Sequence, residues 1–149
     1  MGIVKAVCIS SRRGIQKQDV KQAVFKVGFG IEDDAHGGNW HRQVSLLSYE
    51  KVCEFNEKGA DVKAGAFGEN LVVAGFDFRN LPVGTVFKCN DVVLQMTQIG
   101  KECHTHCQIY QKMGECIMPT QGVFAVVLHG GAISAGDEMT IADEDKDDR

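Results

Sequence analysis

The chain has 149 residues, 44% of them hydrophobic and 24% charged, and a formal net charge of −4. That length suits one domain with a real hydrophobic core, and no apolar run approaches the ~20 residues that a membrane-spanning helix requires. Acid concentrated in the tail "DEDKDDR" argues against nucleic acid as a main partner; any basic surface must be local, and "SRRGIQKQDVKQ" is the best stretch for one.

Taken in chain order, "IVKAVCIS" alternates as a strand. It is not preceded by the basic and apolar regions of a secretory signal, so a cytoplasmic setting is expected. "SRRGIQKQ" reads as a polar turn, and "DVKQAVFKVGFGIEDDAHGG" as extended chain that passes into loops. "QVSLLSYEKVCEFNEKG" joins a short strand to a helix: Ser48 stands at the cap position, Val52 and Phe55 share a face, and Gly59 ends it. "AGAFGENLVVAG" is a strand bounded by glycines, and taken alone its start is a glycine turn with a polar rim. "LPVGTVFKCNDVVLQMTQIG" predicts a hairpin turning at "CND". "KECHTHCQIYQKMG" has helical potential. "GVFAVVLHGGAISAGDEMTIA" reads as a long strand, a double-glycine turn and a final strand. The fold class is therefore mainly β: an antiparallel barrel or curled sheet with one or two short helices at its openings. Residues 1–142 form one domain, and the acidic tail 143–149 is expected to be disordered.

Six cysteines occur, and in a cytoplasmic setting they are expected as thiols. Cys8, Cys53 and Cys89 stand among apolar neighbours and are expected to be buried. Cys103, Cys107 and Cys116 share "GKECHTHCQIYQKMGECIMP" with His104 and His106. Three readings stay open for this segment. Zinc can be held by the three thiols and one histidine, although a single knuckle departs from the usual paired arrangement. The thiols can be packed and inert. Or one of them is a functional thiolate, favoured by a basic group or a helix N-terminus.

A second crowd of chemistry is "EDDAHGGNWHRQVSLL". Arg42 can fork onto phosphate or carboxylate, and His36 and His41 can donate to an anion or move protons. The competing reading is a solvated turn.

Five ordered segments together resemble the MOSC domain family, named after the C-terminal domain of molybdenum cofactor sulfurase. They are "SSRRGIQKQ", "DDAHGGNWHRQVSLL", "GAFGENLVVAG", "VGTVFKCNDVVLQMTQIGKECHTHCQI" and "GVFAVVLHGGAISAGDEM". The resemblance reaches about Ile141 and implies a MOSC-like β-barrel. It also implies molybdenum cofactor (molybdopterin) binding, or sulfur carried for metal-sulfur cofactor maturation, with molybdoenzymes or sulfur-donor proteins as partners. On that reading Cys107 or Cys103 is the catalytic thiolate, a soft and nucleophilic group suited to metal or persulfide. Cys107 ranks first, also as metal ligand, because it follows the pair pattern and precedes an apolar segment. His36, His41, Arg42, Lys17, Glu69 and Asn70 would hold the cofactor. The chain lacks the further domains of larger relatives, so neither their reductase activity toward N-hydroxylated compounds nor sulfur transfer from an aminotransferase-like domain follows for it alone. The alternative from another class is a small β-domain stabilised by zinc and used as an interaction module.

Overall fold

A computed structural model describes residues 2–12, 16–35, 37–100 and 121–142. The alternating first segment forms β1 (Gly2–Ile9), followed by β2 (Gln18–Asp19), β3 (Gln22–Lys26), β4 (Gly30–Ile31) and β5 (Val44–Ser48). The helix α1 (Tyr49–Glu57) leads to β6 (Leu71–Ala74); then come β7 (Val86–Cys89), β8 (Val92–Ile99), β9 (Val123–His129), β10 (Gly131–Ser134) and β11 (Glu138–Ile141). The predicted hairpin is β7–β8, with Asn90 at φ 56° in its turn.

Seven strands pair in a closed ring, β1-β6-β5-β9-β8-β7-β11 and back to β1. Every neighbour in the ring is antiparallel except β5 and β6. Closure removes the open edges that would otherwise invite pairing with another chain. Val4, Val44, Leu46, Leu71, Phe87, Leu94, Met96, Ala125 and Met139 fill the inside as one apolar cluster.

A parallel pair cannot be joined by a tight turn and requires a crossover; α1 is that crossover between β5 and β6. Its Val52 and Phe55 pack with Ala6, Cys8, Leu47, Val72 and Phe124, a second apolar cluster distinct from the interior one. The helix therefore lies on the outer wall of the barrel, not at an opening as the sequence suggests. Ser48 holds the cap position, but its Oγ donates to Glu50 Oε1 at 3.2 Å and accepts from none of the free backbone N–H groups of the first turn. The end is firmer. Gly59 N donates to the Asn56 carbonyl (2.9 Å) and Ala60 N to the Phe55 carbonyl (3.4 Å), with Gly59 at φ 102°. That left-handed residue and paired bonds form a Schellman stop.

The last segment differs from its predicted form. It holds two strands after β9, and the first of them, β10, leaves the barrel to pair with β3. With β4 this makes a separate three-stranded sheet, whose Phe25, Ile31 and Ile133 join the interior cluster. Cys8 and Cys89 are buried as expected, whereas Cys53 is half-buried. It follows Val52 by one residue, and the ~100° helical step carries it off the core face. Residues 101–120 and the tail 143–149 lie outside the described residues, so the expectations placed on them are not addressed by the fold. Among the described residues no helix is long and apolar enough to cross a membrane.

Candidate functional site

The residues singled out by sequence fall into two groups on the described chain. The first joins Lys17, Glu69 and Asn70 in a buried polar network on the outer side of β1, β5 and β6. Lys17 follows a stretch expected to be surface, yet its side chain is fully buried, with Nζ 2.6 Å from Asp34 Oδ1. Lys17 therefore adds nothing to the basic surface expected of this stretch: its ammonium faces inward, while Arg12 and Lys21 are exposed. Burying a lone ammonium is costly, so its partners are what permit it. Beyond Asp34, Nζ donates to Ser10 Oγ at 3.2 Å.

Asp34 is the hub. Its Oδ1 also accepts from Ser10 N (3.1 Å), and its Oδ2 accepts from Asn70 Nδ2 (3.1 Å). Asn70 in turn donates to the Cys8 carbonyl (2.9 Å), while its Oδ1 accepts from Ser45 N (2.9 Å). Glu69 points the other way along the turn. It accepts from Gly65 N (2.9 Å) and Phe67 N (3.0 Å), which orders the glycine turn of "GAFGEN" from within. The polar rim read from the sequence is thus a buried interior of the turn. Gly65 lies at φ 90°, and a Cβ there would meet the Lys17 carbonyl at 2.1 Å. Only glycine allows Lys17 N to reach the Gly65 carbonyl at 2.9 Å.

Burial pushes the Glu69 carboxyl up to about 7, against the opposing pull of its backbone donors and of Lys17. Burial likewise raises the Cys8 thiol to about 12, with Glu69 and Asp19 adding to it, and the Cys89 thiol to about 11. Neither thiol is a nucleophile at neutral pH.

The second group is His41 and Arg42. Their side chains converge on one acceptor, Gln98 Oε1: His41 Nε2 lies 2.8 Å from it and Arg42 Nε donates to it at 3.2 Å. The Arg42 guanidinium also sits over the Phe124 ring, 5.1 Å from its centroid. Its two terminal nitrogens make no hydrogen bond among the described residues. His41 is exposed and Arg42 half-buried, so the fork stands where a solute can reach it. His36 lies outside the described residues, as do Cys103, Cys107 and Cys116.

The chain passes from Gly100 into that cysteine-bearing segment and returns through Gln121. Gly100 N donates to the Gly122 carbonyl at 2.6 Å, and Gln98 Nε2 donates to the Gly100 carbonyl at 2.8 Å. Both described flanks of the segment are therefore tied beside the His41–Arg42 pair. Sequence reasoning passed over Asp34's role as hub, and Ser10, Ser45, Thr97 and Gln98 altogether. Polar residues inside apolar strands were the one available sign for Ser45 and Gln98. Among the described residues, no three His, Cys, Asp or Glu side chains gather as a metal-holding group.

The family model of the MOSC domain matches residues 32–140. The uncharacterized protein YflK of Bacillus subtilis (strain 168) is 29% identical over 142 residues, covering 86% of this chain; the chain spans 62% of that relative's length. The fold is similar to the crystal structure of the YuaD protein from Bacillus subtilis, with a TM-score of 0.75 at 20% identity, over 93% of this chain and 94% of that one. It is similar also to YiiM from Geobacillus stearothermophilus, with a TM-score of 0.71 at 18% identity, over 95% and 75% of the two chains. With the family model spanning most of the barrel, the chain belongs to the MOSC domain family.

Proposed function

We propose that this MOSC protein holds an anionic, sulfur-bearing ligand of the molybdenum-cofactor type, and carries that cofactor, or sulfur for its maturation, on a thiolate of residues 103–107. One observation supports the reading above others: Arg42 and His41 meet at Gln98, two residues before the chain enters the cysteine segment from Gly100. A half-buried guanidinium whose terminal nitrogens make no hydrogen bond among the described residues suits a phosphate. A nearby cation also favours the thiolate form of a cysteine.

The donors present fit such a group unevenly. Arg42 and His41 are placed to touch a solute. Lys17, Glu69 and Asn70 are buried and engaged with protein partners, so in this proposal they order the two loops and do not touch the ligand. When bound, the cofactor supplies a metal held by sulfur together with a terminal phosphate. The chain's own part is to neutralise the phosphate through Arg42 and His41 and to offer a soft thiolate, Cys107 before Cys103. Its partners on this reading are sulfur-donor proteins or molybdoenzymes of the cytoplasm, where thiols stay reduced.

Metal and mass analysis of protein purified from a host that makes molybdenum cofactor tests the proposal. Molybdenum with a pterin should copurify, fall in Arg42→Ala and vanish in Cys107→Ser. Stoichiometric zinc surviving dialysis, with no pterin, would overturn it in favour of a zinc-stabilised interaction module.

A further inference from the structure

Gln98 owes its position to a fault in the strand that carries it. Along β8, Leu94 pairs with Val127 and Met96 with Ala125, and all four belong to the interior cluster. Strict alternation would send Gln98 inward as well, where an amide finds no partner. The register shifts between Met96 and Gln98, so Gln98 pairs with Phe124, whose ring belongs to the outer cluster. Thr97 is the extra residue of this bulge. Its Oγ1 lies 2.5 Å from the His41 carbonyl and 3.2 Å from the Phe124 carbonyl, which ties the bulge to the loop before β5. Bulges of this kind re-aim one side chain out of the ladder.

We infer that Gln98 is a positioning residue that, aimed outward by the Thr97 bulge, holds the His41 imidazole and the Arg42 guanidinium side by side for an anion. The amide can do so in one orientation only. Its oxygen faces two donors, and its nitrogen faces the Gly100 carbonyl. Turning it over would oppose N–H to N–H and oxygen to oxygen. An acceptor at His41 Nε2 keeps a proton on that nitrogen and leaves Nδ1 as the position from which the ring, when it carries its second proton, can donate to an anion. The guanidinium, anchored through Nε and lying over the Phe124 ring, presents its two terminal nitrogens together. The purpose assigned to this arrangement rests on the anion-binding function proposed above; the arrangement itself does not.

Nitrogen NMR of the full chain, labelled in histidine and arginine, tests it together with titration by inorganic phosphate. Wild-type His41 should show the Nε2–H tautomer, and the Arg42 Nε–H should exchange slowly. Gln98→Met keeps the side chain's length and removes the acceptor; it should mix the tautomers, speed exchange and weaken phosphate binding about tenfold. Gln98→Glu retains the acceptor and should restore the tautomer. It should still bind phosphate weakly, because its charge offsets Arg42. A merely structural glutamine would leave tautomer and exchange alike in all three proteins, and that result overturns the inference. If tautomer and exchange respond as expected but wild-type protein takes up no phosphate, the positioning stands and the anion-binding function falls.

Discussion

Lys17 and Asp34 form an ion pair with no exposed side-chain surface on either partner, and Asp34 links it to Ser10 and Asn70. Such a pair adds little net stability over well-packed apolar groups, but removal of one member strands the other charge. Lys17→Met should therefore destabilise the protein by about 3–5 kcal/mol. Asp34→Leu should do the same. The double variant should recover much of the loss, because no charge remains buried. Urea unfolding of the four proteins, analysed as a double-mutant cycle, measures this. Losses that simply add would show that the pair does not act as a unit.

The contact between Gly65 and Lys17 is steric as well as polar. Alanine at residue 65 would have to hold φ near 90° and place its Cβ against the Lys17 carbonyl. Backbone strain alone costs about 1–3 kcal/mol, and the clash adds to it. Gly65→Ala should lower the melting temperature by several degrees or more. Gly68 also has positive φ, but a Cβ there meets nothing within 4 Å, so Gly68→Ala should cost only the strain. Comparison of the two by calorimetry separates clash from conformation.

Glu69 makes stability depend on pH in a direction opposite to most carboxylates. Its folded value of about 7 lies above the ordinary 4.5, so between these values the folded chain keeps a proton that the unfolded chain has released. The contribution is full below the unfolded value and is lost as pH rises toward and through 7. Its size is on the order of 3 kcal/mol. Glu69→Gln cannot ionise and should lack this slope. Unfolding free energies of wild type and variant between about pH 5 and about pH 8 should converge or cross as pH rises. Parallel curves would show that Glu69 does not titrate in this window.

Much of the barrel was legible because strand alternation and turn chemistry are local. The β7–β8 turn at Asn90 and the Gly59 stop were readable in this way. The partnership of β10 with β3 was not, since residues 22–26 and 131–134 are far apart in sequence and alternation names strands without naming partners. The Thr97 bulge was hidden for a related reason. In "VVLQMTQIG" the apolar phase set by Val92, Leu94 and Met96 breaks at Gln98, but such a break does not by itself distinguish a bulge from the end of a strand; the pairing of β8 with β9 decides it. The candidate site was half legible. His41 and Arg42 stood out by type and crowding, whereas Lys17, Glu69 and Asn70 were reached only through the resemblance to the MOSC family. That Lys17 faces inward depends on Asp34, seventeen residues away, and no local period encodes that meeting.

Thiol reactivity follows burial. Cys8 and Cys89 are buried, with thiols raised to about 12 and about 11, so neither should be alkylated in the folded protein at neutral pH. Cys53 is half-buried on α1 and should react before them, contrary to what its apolar neighbours in sequence imply. If the proposed function holds, Cys107 and Cys103 should react faster still, because the cations beside the start of their segment favour thiolate. Timed alkylation with peptide mass mapping gives the order. Labelling of Cys8 or Cys89 ahead of Cys53 would contradict the packing described for the outer wall and the interior.

Arg42 offers the most direct check on the anion site. Its fork can engage two phosphate oxygens at once, while Nε remains on Gln98 and the guanidinium stays over the Phe124 ring. Lysine keeps the charge but has no second nitrogen for Gln98, and its compact, strongly hydrated ammonium cannot stack as the planar guanidinium does. Arg42→Lys should therefore weaken inorganic phosphate binding by about tenfold, or about 1.4 kcal/mol. Because Arg42 is only half-buried and forms no ion pair with an acid in the described chain, the melting temperature should shift little. Titration calorimetry at low ionic strength, where screening is weakest, gives the affinity, and a thermal scan of the same sample gives the stability. Full affinity in Arg42→Lys would remove Arg42 from the site, whereas a large fall in melting temperature would assign it to packing on Phe124 instead.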